Sequence, residues 1–109
     1  MSRPLKLQVV ETARALIEDE RYWCRNELAR DANGHSVDPT DPRAVRRCGL
    51  GALIAAAHQI TNDRRRAYEV AVTALRPLNG STTLVMTNVI RGHAAVLALL
   101  DEALSRKQQ

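Results

Sequence analysis

The chain has 109 residues and a mass of 12.1 kDa, which is enough for one domain but not for two independent cores. Hydrophobic residues make up 45% of the chain and aromatic residues only 3%, so the core must be built mainly from Ala, Leu, Val and Ile. This balance favours closely packed helices over a β-sandwich. It excludes a multidomain enzyme, a disordered low-complexity chain and a disulfide scaffold. We therefore expect a mainly all-α fold, with residues 1–109 forming a single helical domain.

The formal net charge is +4, from sixteen basic and twelve acidic residues, and fourteen of the basic residues are Arg. Arginine binds phosphate and carboxylate well, but a GC-rich genome also produces arginine-rich proteins. The two cysteines are too few for a secreted disulfide framework, and no signal sequence follows Met1. The longest apolar run, residues 48–57, is shorter than the roughly 20 residues that cross a bilayer. These features predict a cytoplasmic protein with reduced cysteines and no membrane partner.

Two helices are predicted in the first half of the chain. Apolar residues recur every three or four positions from Leu5, which predicts a first helix ending at about Glu20. Asp41-Pro42 is a helix-start signal, and we expect the second helix to run from there to about Gln59. Its second half is Ala/Gly-rich and apolar on nearly every face, which is typical of a central helix surrounded by protein. Its interior glycines would permit the close approach of another helix.

The segment between these helices is not clearly helical. Asn33-Gly34 is a strong turn dipeptide, and the flanking residues 27–30 and 35–37 are long enough for a short ribbon. We therefore expect a small β-hairpin or loop insertion between helices 1 and 2. An isolated hairpin is only marginally stable, so Trp23 would either seat it on the helices or anchor an interface.

Two further helices complete a compact four-helix domain. The third begins after Thr61 or Asn62 and is ended by Pro77 and Asn79-Gly80. Its predicted buried stripe comprises Ala67, Tyr68, Ala71, Val72 and Leu75. Residues 81–87 are predicted to be a loop or a short extended piece. The last helix spans about residues 92–107, with His93, Val96, Leu97, Leu100, Ala103 and Leu104 as its apolar stripe.

Arginine clusters stand near the predicted starts of the second and third helices. They are Arg43, Arg46 and Arg47, and Arg64, Arg65 and Arg66. Helix N-termini attract anions, so these six residues are the candidate contacts for nucleic acid or another anion. The alternative is that Asp41 and Asp63 neutralise the clusters, which are then ordinary solvated faces.

Cysteine and histidine spacing indicates neither a metal site nor a cofactor site. No close Cys or His pair occurs, so zinc binding is not predicted. A Cys48–His pair assembled from distant positions is conceivable, but Cys48 lies in a run of small apolar residues that favours a buried, inert thiol. His58 and His93 are interpreted as polar residues at helix edges. We therefore predict no catalytic, cofactor-binding or metal-binding residues.

The spacing of several residues resembles an uncharacterised family of small bacterial and phage proteins, a domain of unknown function. The resemblance rests on a W…A-x-D-x-x-G…A-x-x-x-C-x-x-G-A-L pattern, here Trp23, Ala29 to Gly34 and Ala44 to Leu53. It implies a shared small helical fold without an activity. The positions that it carries are interpreted as structural, namely Trp23, Asp31, Gly34, Cys48, Gly51 and Asn88. Two departures are Arg47, where the family often has Trp, and Val89, where it has Asp.

The preferred functional hypothesis is a non-enzymatic interaction module that self-associates or binds a protein partner. A small chain with few large core residues buries limited area, and oligomerisation is a common remedy. Nucleic-acid or anion binding through the arginine clusters is the alternative. A Cys–His enzyme is the third hypothesis.

Overall fold

The computed structural model describes residues 3–74 and 81–105. Within these ranges the chain forms five α-helices: α1 (Leu5–Ile17), α2 (Gly49–Thr61), α3 (Arg64–Ala74), α4 (Ser81–Met86) and α5 (His93–Ser105). A 3₁₀ turn, Glu20–Tyr22, follows α1, and a π-helical turn, Thr87–Arg91, joins α4 to α5. Two short strands, β1 (Ala29–Arg30) and β2 (Arg46–Arg47), lie between α1 and α2. The mainly helical class is confirmed.

Helix α2 is the centre of the domain, as its composition predicts. It packs against α1, α3 and α4, and α1 also contacts α5. Eight of its thirteen residues are buried, and four of these eight are alanines. Because small side chains leave room, the neighbouring helices pack closely against the α2 backbone.

The start of α2 was predicted wrongly, because the helix begins at Gly49 and not at Pro42. Asp41 does accept a hydrogen bond, from the Arg43 backbone N–H at 2.8 Å, but this closes a local turn. The next residues, Arg46–Arg47, pair as a strand with β1. The cap of α2 is Cys48, whose sulfur accepts from the Gly51 N–H at 3.3 Å.

The small antiparallel insertion between α1 and α2 is confirmed, although its second strand lies elsewhere. β1 pairs with β2, placing Ala29 opposite Arg47. The predicted strand at residues 35–37 instead makes a single bridge, between Arg30 and Ser36. Gly34 adopts a φ of +83° in the turn, where a side chain would be strained. The ribbon gains its stability from β2, which leads directly into α2.

The prediction of four helices was wrong because residues 81–87, expected to be loop, belong to α4 and the π-helical turn. The buried positions there, Leu84 and Asn88, are four residues apart and so share one helical face. Helical hydrogen bonds satisfy the backbone of a segment that packs on the core.

The boundaries of the other helices differ from prediction by a few residues. α1 ends at Ile17, before the 3₁₀ turn. Asn62 is a left-handed C-cap of α2, and Asp63 caps α3 by accepting from the Arg66 N–H. In α3, Ala67 and Ala71 are buried but Val72 is 63% exposed. Leu75, Pro77, Asn79-Gly80 and Lys107 lie outside the described residues.

At Gly51 the α2 backbone is approached closely by a loop instead of by another helix. A Cβ built on Gly51 would lie 1.9 Å from the carbonyl oxygen of Leu28. The same carbonyl accepts from the Cys48 N–H at 3.2 Å, which holds it in place. By contrast, a Cβ on Gly49 would meet only side-chain atoms, of Leu84 and Val96 at 3.0 Å.

We expect Gly51→Ala to lower the free energy of unfolding by about 3 kcal/mol or more, because backbone must move to admit the methyl group. Gly49→Ala is the matched control on the same helical turn, because its methyl group would meet only side-chain atoms, which can shift by rotation. Urea denaturation of both variants measures the difference. Equal midpoints for the two would show that the Leu28 carbonyl is free to move.

Candidate functional site

The side chain of Asn88 is the most heavily bonded buried polar group in the described part of the chain. It is 2% exposed and lies in the π-helical turn. Its Oδ1 accepts from the Trp23 Nε1–H at 2.7 Å and from the Gly49 N–H at 3.1 Å. Its Nδ2 donates to the carbonyls of Arg25 at 2.7 Å and Cys24 at 3.3 Å. One amide therefore joins the loop after α1, the start of α2 and the turn before α5.

The π-helical turn explains how Asn88 reaches this position. The Gly92 N–H bonds to the Thr87 carbonyl at 3.1 Å, and Gly92 then leaves the helix with a φ of +94°. Such turns insert one extra residue and are frequent at functional sites. The resemblance marks Asn88 only as a structural position, whereas in the structure its side chain bonds residues 39 to 65 positions away.

Trp23 lies beside Asn88 and is almost completely buried, at 9% exposure. Its ring is 5.6 Å from that of His93, and the Arg25 guanidinium lies 5.2 Å from the indole centroid. Arg25 also donates to the Val89 carbonyl at 2.5 Å. His93 contacts the Ile17 carbonyl through Nε2 at 2.6 Å, so that nitrogen carries the hydrogen. Trp23 therefore packs against α5, and His93 connects α5 to the end of α1.

A cleft of about 250 Å³ opens next to this network. Cys48 and Asn88 line it, together with Arg25, Asn26, Glu27, Leu28, Leu50, Val85 and Val89. Trp23 and the six arginines of the predicted clusters are not among its lining residues. The structure thus brings two of the singled-out residues, Cys48 and Asn88, to one concave site, and four of its nine lining residues are aliphatic.

Sequence reasoning missed the apolar wall of this cleft. Val85 and Val89 are four residues apart, as are Met86 and Ile90, a helical spacing that the sequence contains. The loop prediction for residues 81–87 concealed it. No signal in the sequence marks Arg25, whose position follows from its contact with Val89.

The two thiols are buried and form no pair with a histidine among residues 3–74 and 81–105. Burial raises the pKa of Cys24 to about 11, and burial also raises the pKa of Cys48. Cys24 contacts the Glu27 carbonyl and Cys48 contacts the Gly51 N–H. Both thiols are therefore protonated at neutral pH, which makes them poor nucleophiles.

The first arginine cluster does not lie on a helix N-terminus, contrary to prediction. Arg43 lies in a loop and pairs with Asp41 at 2.9 Å, and Arg46 and Arg47 form β2. Arg46 is exposed, whereas Arg47 is partly buried and donates to the carbonyls of Pro39 and Ala44. The physical reason is the pairing of β2 with β1, which delays the helix until Gly49.

The second cluster does begin a helix, as predicted for Arg64, Arg65 and Arg66. Arg64 is held by Asp38 at 2.6 Å, while Arg65 and Arg66 are exposed. Asp63 caps this helix through the Arg66 N–H at 3.1 Å. Of the six arginines, Arg43 and Arg64 therefore pair with a loop carboxylate, Arg47 is partly buried, and the other three are exposed.

Asp38 ties the loop before α2 to α3. Its carboxylate accepts from the Thr40 N–H and hydroxyl, from Arg64 at 2.6 Å and from the Tyr68 hydroxyl at 3.0 Å. Burial by itself raises the pKa of this carboxyl, but the hydrogen bonds from Thr40, Arg64 and Tyr68 outweigh burial and hold the pKa well below its usual range.

Asp31 and Gly34 act within the turn that they define. The Asp31 carboxylate accepts from the backbone N–H groups of Asn33 and His35, each at 2.9 Å. The hydrogen bond from His35 is the largest cause of the lowered pKa of Asp31.

Among the described residues no cluster of His, Cys, Asp or Glu is placed to hold a metal ion. None of the described helices is both long and apolar enough to span a membrane.

We expect Asn88→Asp to destabilise the protein by about 3 kcal/mol or more at pH 7, because a second oxygen would face the carbonyls of Cys24 and Arg25. Burial raises the pKa of the introduced carboxyl in the folded state above its unfolded value of about 3.9. The neutral form retains a donor, so the variant is most stable below that pH and loses stability as pH rises through the folded pKa.

The matched control is Asn88→Ala, whose destabilisation relative to the natural chain has no such pH dependence. Urea denaturation of the three proteins between about pH 4 and pH 7 separates the two effects. If the difference in the free energy of unfolding between Asn88→Asp and the natural chain stays constant across this pH range, the proposed orientation of the amide is contradicted.

Asp38→Asn should lower the free energy of unfolding by about 1–2 kcal/mol at pH 7, since an amide replaces an acceptor of charge-assisted hydrogen bonds. A carboxyl with a depressed folded pKa stabilises above its unfolded pKa of about 3.9, and that contribution is lost as pH falls through the folded pKa. The gap between variant and natural chain should therefore close in acid. The exposed Glu69→Gln is the control, and an equally large effect there would argue against a role of the Asp38 contacts.

Comparison with known proteins gives a family but no activity. The family of unknown function DUF6197 matches residues 1–106, which include every residue of the network and the cleft. Comparisons with curated proteins and with solved structures find no match. The expectation of a family without an assigned function is confirmed, whereas the bacterial or phage origin and the motif pattern stay predictions. The chain belongs to the family of unknown function DUF6197.

Proposed function

We propose that the protein is a non-enzymatic, cytoplasmic interaction module that self-associates through the apolar side of the cleft. This surface, called the α4 surface below, comprises Leu28, Val85 and Val89, which line the cleft, together with Met86 and Ile90, which lie on α4 and the π-helical turn outside its lining. The observation that carries the proposal is their exposure, which ranges from 38% for Leu28 to 66% for Ile90. They make up five of the eight large hydrophobic residues that are exposed within the described residues. Such a concentration of exposed apolar groups on one surface is typical of a contact site.

A second copy of the chain is the occupant that the charges favour. Arg25 and Glu27 both line the cleft beside the apolar residues. In a two-fold symmetric contact each patch meets its own copy, so Arg25 of one protomer can face Glu27 of its partner. A strongly acidic or strongly basic partner would instead be expected to bind a cleft whose charged residues all have the opposite sign.

The composition of the core supports the same proposal. The buried hydrophobic residues include eleven alanines among those described, so the monomer buries little apolar area per residue. Covering the α4 surface adds burial that the monomer lacks. The buried, protonated thiols support the non-enzymatic part of the proposal over a Cys–His enzyme.

Light scattering after size exclusion at about 100 µM should give a mass near 24 kDa, which is twice 12.1 kDa. Ile90→Asp should shift the protein to about 12 kDa, because a charge cannot be buried unpaired at the contact. Val72→Asp is the matched control, since Val72 is 63% exposed on α3 and Ile90 is 66% exposed.

A clean species of about 12 kDa for the natural chain at this concentration would overturn self-association. If Val72→Asp dissociates the oligomer as strongly as Ile90→Asp, the assignment of the contact to the α4 surface is overturned. An oligomer that resists Ile90→Asp would show that the contact lies on another surface.

A further inference from the structure

A second, more polar cavity lies on a different part of the molecule. The loop from Pro39 to Pro42 packs against the C-terminal half of α2 and leaves a space of about 140 Å³. Thr40, Asp41, Arg47, His58 and Gln59 contribute polar groups to its lining. Liquid water takes about 30 Å³ per molecule, so this cavity holds only a few waters and is smaller than a pocket for a drug-sized ligand.

The Arg47 side chain in this cavity is poorly satisfied for a partly buried cation. Its Nε donates to the Pro39 carbonyl at 3.3 Å and its Nη2 to the Ala44 carbonyl at 3.4 Å. Both donor–acceptor distances are longer than the usual N–H···O distance of about 2.9–3.0 Å. A guanidinium has about five N–H groups in a fixed fork, so two bonds leave three donors available.

The neighbouring carboxylates do not balance the charge of Arg47. Asp41 is paired with Arg43 at 2.9 Å, and Asp38 is held by Arg64 and Tyr68. No carboxylate of the described residues lies within ion-pair distance of Arg47. Burial of the guanidinium lowers the pKa of Arg47. Among the residues that line the cavity, Arg47 thus carries a positive charge without a carboxylate partner, because Asp41 is already paired with Arg43.

We propose that this cavity binds a compact oxyanion, either inorganic phosphate or the phosphoryl group of a small phosphate monoester. Arg47 presents a planar fork that matches phosphate oxygens, and its two backbone contacts fix the plane of that fork. His58 and Gln59 supply further polar groups at the cavity wall. The site does not rest on self-association, because the α4 surface shares no residue with the cavity.

Titration with inorganic phosphate, followed by calorimetry at constant ionic strength, tests the site. Arg47→Gln should weaken phosphate binding at least tenfold, whereas Arg46→Gln should change it less than twofold. Arg46 is the matched control because it is the neighbouring arginine of β2 and is exposed to solvent. Chloride at equal ionic strength corrects for screening of surface charge.

A measurement on the natural chain keeps the test valid if Arg47→Gln does not fold. On addition of phosphate, the amide resonances of Thr40, His58 and Gln59 and the Arg47 Nε–H resonance should shift together in a nitrogen–proton correlation spectrum. Shifts confined to Arg65 and Arg66 would overturn the proposal. Equal losses of affinity in Arg46→Gln and Arg47→Gln would also overturn it, since they indicate a diffuse charge effect.

The source of the phosphoryl group is distinguished by comparing inorganic phosphate with ribose 5-phosphate and with ribose. Tighter binding of the monoester than of inorganic phosphate assigns the site to a phosphorylated small molecule. The reverse order assigns it to free phosphate. No saturable binding of either phosphorylated probe would overturn the proposal.

Discussion

The buried amide of Asn88 is the interaction on which the arrangement of this protein depends. A buried amide is costly unless both its oxygen and its nitrogen are bonded, and here each makes two hydrogen bonds. Its partners belong to the loop after α1 and to the first residue of α2, so the amide holds three segments that are distant in sequence. Trp23 and the backbone of Arg25 take their positions from it.

The same π-helical turn that directs Asn88 inward also presents apolar side chains to solvent. Asn88 is 2% exposed and Ile90, two residues later, is 66% exposed. The opposite wall of the cleft is fixed by the Leu28 carbonyl, which bonds to the Cys48 N–H and leaves no room for a Cβ on Gly51. The proposed contact surface is therefore a consequence of how the loop and the turn are joined.

At the other end of α2, ion pairs determine where the arginines of the two clusters lie. Asp38 and Asp41 each take one arginine, Arg64 and Arg43, as hydrogen-bonded partner. These pairs fasten the loop to α3 and to itself, and they account for part of each predicted cluster. Arg47 is drawn inward by β2 without a carboxylate of its own, which separates it from the solvated arginines next to it. Among the six arginines, Arg47 is thus the one that is partly buried without a carboxylate partner.

The sequence by itself determined the features that depend on short-range pattern. The periodicity from Leu5, the small-residue run of α2 and the turn at Asn33-Gly34 are each visible within a few residues, because helix faces and turns are encoded locally. Asp41 shows the limit of such signals, since its cap signal produced only a turn once β2 paired with β1. Only the tertiary structure decided that Asn88 bonds Trp23 and Gly49, that Leu28 approaches Gly51, and that Arg47 is buried apart from Arg46. Each of these contacts joins residues whose proximity depends on the packing of several elements at once, so no local pattern specifies it.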